Sequence, residues 1–153
     1  MTSEPNGVID SWTLPWPEIR VPPYRTGHVG EWELKRQRQS VLRGYFRGLQ
    51  TCTENYLLMR DNRVWMSLSP VEIESLAPHV AQMRGHVVIA GLGIGLALSN
   101  ALLRPPVRRV TVLECDNEVI ALFASISDCG WSRSDRFNYR TGRRPRMAVS
   151  RPG

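Results

Sequence analysis

Residues 86–120 read HVVIAGLGIGLALSNALLRPPVRRVTVLECDNEVI. An apolar segment, His86–Ala90, runs into three alternating glycines, Gly91, Gly93 and Gly95. Leu96, Leu98, Ala101, Leu102 and Leu103 follow as a helix, which Pro105-Pro106 stop. Val110–Leu113 is a second apolar strand, and it ends on Glu114. Asp116 is placed to cap a further helix through Val119, Ile120, Leu122, Phe123 and Ile126, closed by Gly130. Strand, helix and strand within roughly 30 residues form a βαβ unit with parallel strands. Both strands are expected to be apolar on two faces, as in a buried parallel sheet.

This arrangement has a chemistry. In open α/β sheets, ligands bind beyond the carboxyl ends of the strands. Glycines belong at such a turn because a Cβ would obstruct the approach of ligand to backbone. A carboxylate ending the next strand can accept hydrogen bonds from both hydroxyls of a ribose, each worth about 1.5–3 kcal/mol. Glu114 follows Gly95 by 19 residues, close to the spacing of about 20 that this geometry requires. A pyrophosphate-binding loop would carry G-x-G-x-x-G, but the glycines here alternate and Leu96 stands where the third glycine of that fingerprint belongs. The loop therefore points away from a dinucleotide and toward an adenosine ligand without a diphosphate.

Outward from this core, Ser69-Pro70-Val71-Glu72 predicts a helix start, with Ser69 as cap, Pro70 at the first helical position and Glu72 completing a capping box. Val71, Ile73, Leu76, Val80 and Met83 continue a helical stripe across Pro78, and Gly85 ends it. Tyr56–Arg60 and Arg63–Ser67 flank Asp61-Asn62 and predict a β-hairpin. The chain thus divides into a Pro-rich extended arm over 1–44, a hairpin and linking helix over 45–84, a βαβα unit over 85–130, and a tail over 131–153. Within the arm, 31–43 reads as a short helix, and Trp12, Trp16 and Trp32 as anchors onto a neighbouring surface. The tail shows neither helical nor strand periodicity, and its Arg, Ser, Gly and Pro content reads as disorder.

Charge follows the same division. The chain has 153 residues and a net charge of +6. Seven arginines and one acid, Asp135, lie after residue 129; before it, thirteen basic and thirteen acidic side chains cancel. The basic excess belongs to the tail, which lacks, beyond Trp131, Phe137 and Tyr139, the aromatic interleaving expected of a nucleic-acid-binding arm. Cys52, Cys115 and Cys129 are odd in number and widely spaced, which reads as reduced thiols in a cytoplasmic protein. His28, His79 and His86 have no metal-ligand spacing, so no metal site is expected. The longest apolar run, Val87–Leu98, is too short to cross a bilayer, and no membrane association is expected.

Residues 86–120 resemble the first two motifs of class I S-adenosylmethionine-dependent methyltransferases, most of all the spermidine synthase-like branch. Val88–Gly95 is similar to that branch's strand and glycine loop, and Val110–Ile120 to its strand ending in Glu-x-Asp before a helix. The hairpin and helix over 56–83 resemble its small N-terminal β element and linking helix. The resemblance implies an α/β Rossmann-like methyltransferase fold and S-adenosylmethionine as cofactor. It implies that Gly91, Leu92, Gly93 and Gly95 line the methionine and ribose moieties, that Glu114 binds the ribose, and that Cys115 and Asp116 lie beside the adenine or cap the helix. Two departures from the pattern stand out: Ile89 replaces an acid found before the first glycine of many members, and Ile94 replaces an Asp of the aminopropyltransferases. Aminopropyl transfer is therefore disfavoured relative to methyl transfer to an acceptor the sequence does not specify, and no catalytic residue can be named. The family's third and fourth strands have no counterpart by pattern in 131–153, so an incomplete fold is expected. That would make the chain a truncated or frame-shifted form of a longer enzyme, with an open sheet edge available for homo-oligomerisation. An inactive fragment or partner subunit is the alternative.

Overall fold

The computed structural model describes residues 16–127 and 135–141, with backbone alone at 39, 53 and 54. Within them the chain is mixed α/β, with two sheets and three helices. The first sheet is antiparallel in the order β1 (Gly27–Val29), β2 (Trp32–Arg43), β3 (Leu49–Arg60), β4 (Arg63–Ser67). Helix α1 (Pro70–Gln82) leads to a parallel second sheet, β5 (Gly85–Ala90), β6 (Val107–Glu114), β7 (Phe137–Thr141), with α2 (Leu96–Leu103) and α3 (Asn117–Ile126) as its crossovers.

The Asp61-Asn62 hairpin forms as its residues dictate. Both sit at positive φ, 49° and 60°, and join Arg60 to Arg63. β2 corrects the helical expectation for 31–43. Its Glu, Lys, Arg and Gln content favours a helix in isolation. Trp32 and Leu34, however, alternate with charged neighbours and are buried to 3% and 1% exposure. The long register with β3, from Trp32↔Arg60 to Arg43↔Leu49, outweighs local propensity. Trp32 is thus an anchor from within a strand. Trp16 packs its ring 4.9 Å from that of Phe46, and Trp12 lies outside the described residues.

Helix α1 begins at Pro70 as expected, but the cap is built differently. The Ser69 hydroxyl makes no capping bond, and Glu72 accepts instead from the Ser67 N–H at 2.8 Å. Pro78 lies within the helix, which runs on to Gln82.

β7 is the second correction. It pairs in parallel with β6 from Val110↔Phe137 to Glu114↔Thr141, inside the stretch expected to be disordered. Phe137 and Tyr139 alternate inward and their rings meet at 4.4 Å, a two-residue signal that the surrounding arginines obscure. Arg136 is likewise part of the fold: its guanidinium donates to the carbonyls of Leu102 and Val107. Gly130, Trp131 and the tail arginines other than Arg136 and Arg140 lie outside the described residues.

The third correction concerns β5. Its burial alternates, with His86, Val88 and Ala90 exposed and Val87 and Ile89 packed on the core. Val88 is 58% and Leu113 43% exposed on this open face, where His86 Nε2 also meets Thr111 Oγ1 at 2.8 Å. Both crossover helices pack on the opposite face, and β5 is an edge strand among the described residues.

Helix α3 packs against β1 and β2 as well as β6, so it joins the two sheets. The chain before β1 is fastened to the same body. Asn100 exchanges two hydrogen bonds of 2.9 Å with the backbone of Arg20, and Arg25 N–H donates to the Ile126 carbonyl.

Candidate functional site

The carboxyl ends of β5 and β6 bring the glycine loop and Glu114 together. Gly91 continues the ladder, its N–H donating to the Leu113 carbonyl at 2.8 Å. The loop then turns, with Gly91, Gly93 and Gly95 all at positive φ, and Gly95 becomes the N-cap of α2. The glycines answer to different neighbours. A Cβ on Gly95 would lie 2.2 Å from the Phe123 ring of α3, and one on Gly93 would lie 2.5 Å from Met66 Sδ of β4. A Cβ on Gly91 would meet nothing within 4 Å. Two glycines therefore admit close packing around the loop, and Gly91 leaves its backbone open to solvent.

Glu114 is 8% exposed. Its Oε2 accepts from the Leu92 N–H and its Oε1 from the Asp116 N–H, both at 2.8 Å. One carboxylate thus fixes the glycine loop to the start of α3. Each oxygen holds one backbone donor and retains further acceptor capacity.

Asp116 caps α3 through the Glu118 N–H at 3.0 Å and accepts from the Trp32 indole at 2.9 Å. This bond ties the first sheet to the site. The Arg60 guanidinium stacks 5.4 Å above the Trp32 ring, and Trp65 meets that ring edge-on at 5.5 Å. Trp65 itself is 67% exposed. Cys115, between the two acids, is an exposed free thiol.

Of the residues singled out from sequence, Leu92, Glu114 and Asp116 are joined by hydrogen bonds. Gly91 opens the same strand end and Cys115 stands exposed between the acids. Leu92 is buried and contributes its N–H, while its side chain joins the core. Ile94 is fully buried and fills the core. Sequence reasoning missed Met66 and Phe123 as neighbours of the loop, and Trp32 as the partner of Asp116. The alternation in Arg63–Ser67 marks Met66 as inward-facing and Trp65 as outward-facing, but nothing in sequence pairs that strand with residue 93. Among the described residues, no three His, Cys, Asp or Glu side chains converge as a metal site would require, and no helix is long and apolar enough to cross a membrane.

No family model matches this chain, and no curated protein does. Solved structures of spermidine synthases overlap part of it. The enzyme from Thermotoga maritima superposes with a TM-score of 0.46 at 18% identity, over 77% of this chain and 40% of its own. A spermidine synthase in complex with the transition-state analogue AdoDATO gives a TM-score of 0.46 at 18% identity, over 77% of this chain and 39% of its own. The chain spans about two fifths of the length of these enzymes.

Proposed function

We propose that the Gly91–Gly95 loop and Glu114 hold an adenosyl ligand of the S-adenosylmethionine type, and that the chain is a methyltransferase-like transferase domain. The observation that carries this reading is the Glu114 carboxylate. It is buried, oriented by two backbone N–H groups, and adjacent to the open backbone at Gly91. A ribose diol needs such an acceptor, held in place before the ligand arrives. Cys115 and Asp116, on the far side of Glu114, are the neighbours proposed for adenine. With Ile89 and Ile94 packed in the core, the loop supplies no carboxylate for the ligand's amino group, so recognition centres on the adenosine half.

When bound, S-adenosylmethionine supplies an electrophilic methyl on a sulfonium. The chain's own contribution is positional: Glu114 and the loop backbone fix the adenosine, and Met66 walls the loop at Gly93. The methyl acceptor is a small molecule or other nucleophile whose identity this reading leaves open.

Isothermal titration with S-adenosylmethionine and with 5′-methylthioadenosine, which lacks the amino-acid moiety, tests the proposal. Both should bind within about fivefold of one another. Glu114→Ala, verified as folded by circular dichroism, should weaken both at least tenfold, as expected for lost charge-assisted bonds. Absence of heat from either ligand on folded wild type refutes it.

A second reading is a non-catalytic partner subunit whose β5 edge receives strands from another chain or a second copy. Exposed Val88 and Leu113 on one face of an edge-ended sheet favour it. A monomer by sedimentation equilibrium, unchanged by Val88→Lys, argues against self-association there.

A further inference from the structure

Strand β4 carries a bulge. Leu57 pairs with Ser67 and Leu58 with Met66, but Met59 pairs with Val64, so Trp65 is an extra residue with no partner in β3. An extra residue of this kind breaks the alternation of a strand and re-aims the side chain it carries. Leu34, Leu58 and Met66 lie in register on one face, which is buried at Leu34 and Leu58, and Trp32 shares that face two residues before Leu34. In an unbroken strand Trp65 would alternate with Met66 and point to the other face. Its ring instead meets that of Trp32 at 5.5 Å and 87°. The bulge thus brings two consecutive side chains, Trp65 and Met66, to the same face.

Two contacts fix where Trp65 stands. Met66 Sδ closes on Gly93, where it would lie 2.5 Å from an added Cβ. The Trp32 indole donates to Asp116 at 2.9 Å. Trp65 is therefore tied through its chain neighbour to the glycine loop and through its ring neighbour to the start of α3. Glu114 joins those same two segments, through Leu92 and Asp116. Trp32 is itself held: the Arg60 guanidinium covers its ring at 5.4 Å and is bonded to Glu31 at 2.8 and 3.1 Å. Trp65 leans on this fixed partner, yet 67% of it stays exposed. A single exposed aromatic needs no explanation by itself. This one is re-aimed by a bulge and braced beside the strand ends that carry Gly91 and Glu114. Every nucleobase has a π face that stacks on such a ring.

We propose that Trp65 is the platform on which the adenine of the adenosyl ligand stacks. This assignment rests on the adenosyl reading of the Gly91–Gly95 loop and Glu114. Glu114 takes the ribose hydroxyls, and the base extends toward Cys115 and Asp116 with the Trp65 indole against its face. The site is then built from both sheets: the second supplies the hydrogen bonds and the first supplies the stacking surface.

Two variants of the full chain test it. Trp65→Leu keeps an apolar cover over Trp32 and removes the aromatic face, whereas Trp65→Phe keeps a smaller one. In isothermal titration, Trp65→Leu should weaken 5′-methylthioadenosine and S-adenosylmethionine by the same factor, at least about fivefold, and Trp65→Phe by less than about threefold. Saturating 5′-methylthioadenosine should also quench wild-type tryptophan emission, and Trp65→Phe should lose most of that quench while still binding. A merely structural role for Trp65 would not move the quench in this way. A folded wild type that gives no heat with either ligand overturns the adenosyl reading and this assignment with it. Wild-type binding that Trp65→Leu leaves unchanged overturns the assignment alone. So does a loss confined to S-adenosylmethionine, which would put Trp65 at the amino-acid half, and so does an equal loss in the Leu and Phe variants. Should Trp65→Leu fail to fold, the emission decides: an equal quench in wild type and Trp65→Phe overturns the assignment.

Discussion

Glu114→Gln separates the structural work of this carboxylate from its charge. Glutamine is isosteric but has one acceptor oxygen where glutamate has two. In the native arrangement both oxygens accept, Oε2 from Leu92 and Oε1 from Asp116, each at 2.8 Å in a residue only 8% exposed. Whichever way the amide turns, its NH2 must face one of two backbone N–H groups. One charge-assisted bond is lost, at about 1.5–3 kcal/mol, and the surviving bond loses its charge. We expect a loss of about 2–3 kcal/mol in unfolding free energy. With a urea dependence of about 1.5 kcal/mol/M, the midpoint should fall by about 1.3–2 M at constant slope. Tryptophan fluorescence in a urea titration measures this directly, since Trp32 is bonded to Asp116. A midpoint within about 0.3 M of wild type, with the same slope, would refute the reasoning: the loop and the α3 cap would then not depend on the carboxylate.

Two further outcomes follow from other sites. Gly95→Ala forces a residue with a side chain to φ 75° and sets its Cβ 2.2 Å from Phe123; thermal unfolding should show a loss of about 2–4 kcal/mol, and the added change Phe123→Leu should restore part of it. Glu74, 5% exposed, accepts from the Phe46 N–H at 2.6 Å, the Gln50 amide at 2.7 Å and the Arg47 N–H at 3.3 Å. Burial alone pushes its carboxyl up, but these donors and the Arg47 charge outweigh burial and hold the pKa below its ordinary value of 4.5. The sign follows: a depressed folded-state pKa gives stability that is full above 4.5 and is lost as pH falls through the folded value. Glu74→Gln should therefore cost about 1–3 kcal/mol at pH 7 and progressively less in acid, and a pH-independent difference would count against this account.

The parts of the fold legible from sequence are those where local chemistry and global packing agree. The glycine loop, the Asp116 cap and the Asp61-Asn62 turn are set by residues with few conformational alternatives. β2 was illegible because its residues favour helix singly and become a strand only beside β3. β7 was hidden because two inward aromatics, Phe137 and Tyr139, are embedded among arginines whose charge reads as tail. The half-open character of β5 could not be read either: Val88 and Val87 are the same residue type, and only the placement of both crossover helices on one side distinguishes their environments. At the site, Glu114 was legible from its spacing to Gly95. The Trp32 and Met66 contacts were not, since they depend on how one sheet lies against the other.

The fastenings between the first part of the chain and the later helical unit join residues far apart in sequence: Trp32 to Asp116 across 84 positions, Arg20 to Asn100 across 80, Glu31 to Glu118 across 87. At a synthesis rate of about 5–20 residues per second, the surface around Trp32 and Leu34 emerges roughly 4–17 s before the helix that covers it. For that interval the first sheet has an uncovered apolar face, a surface on which neighbouring nascent chains can associate until α3 covers it.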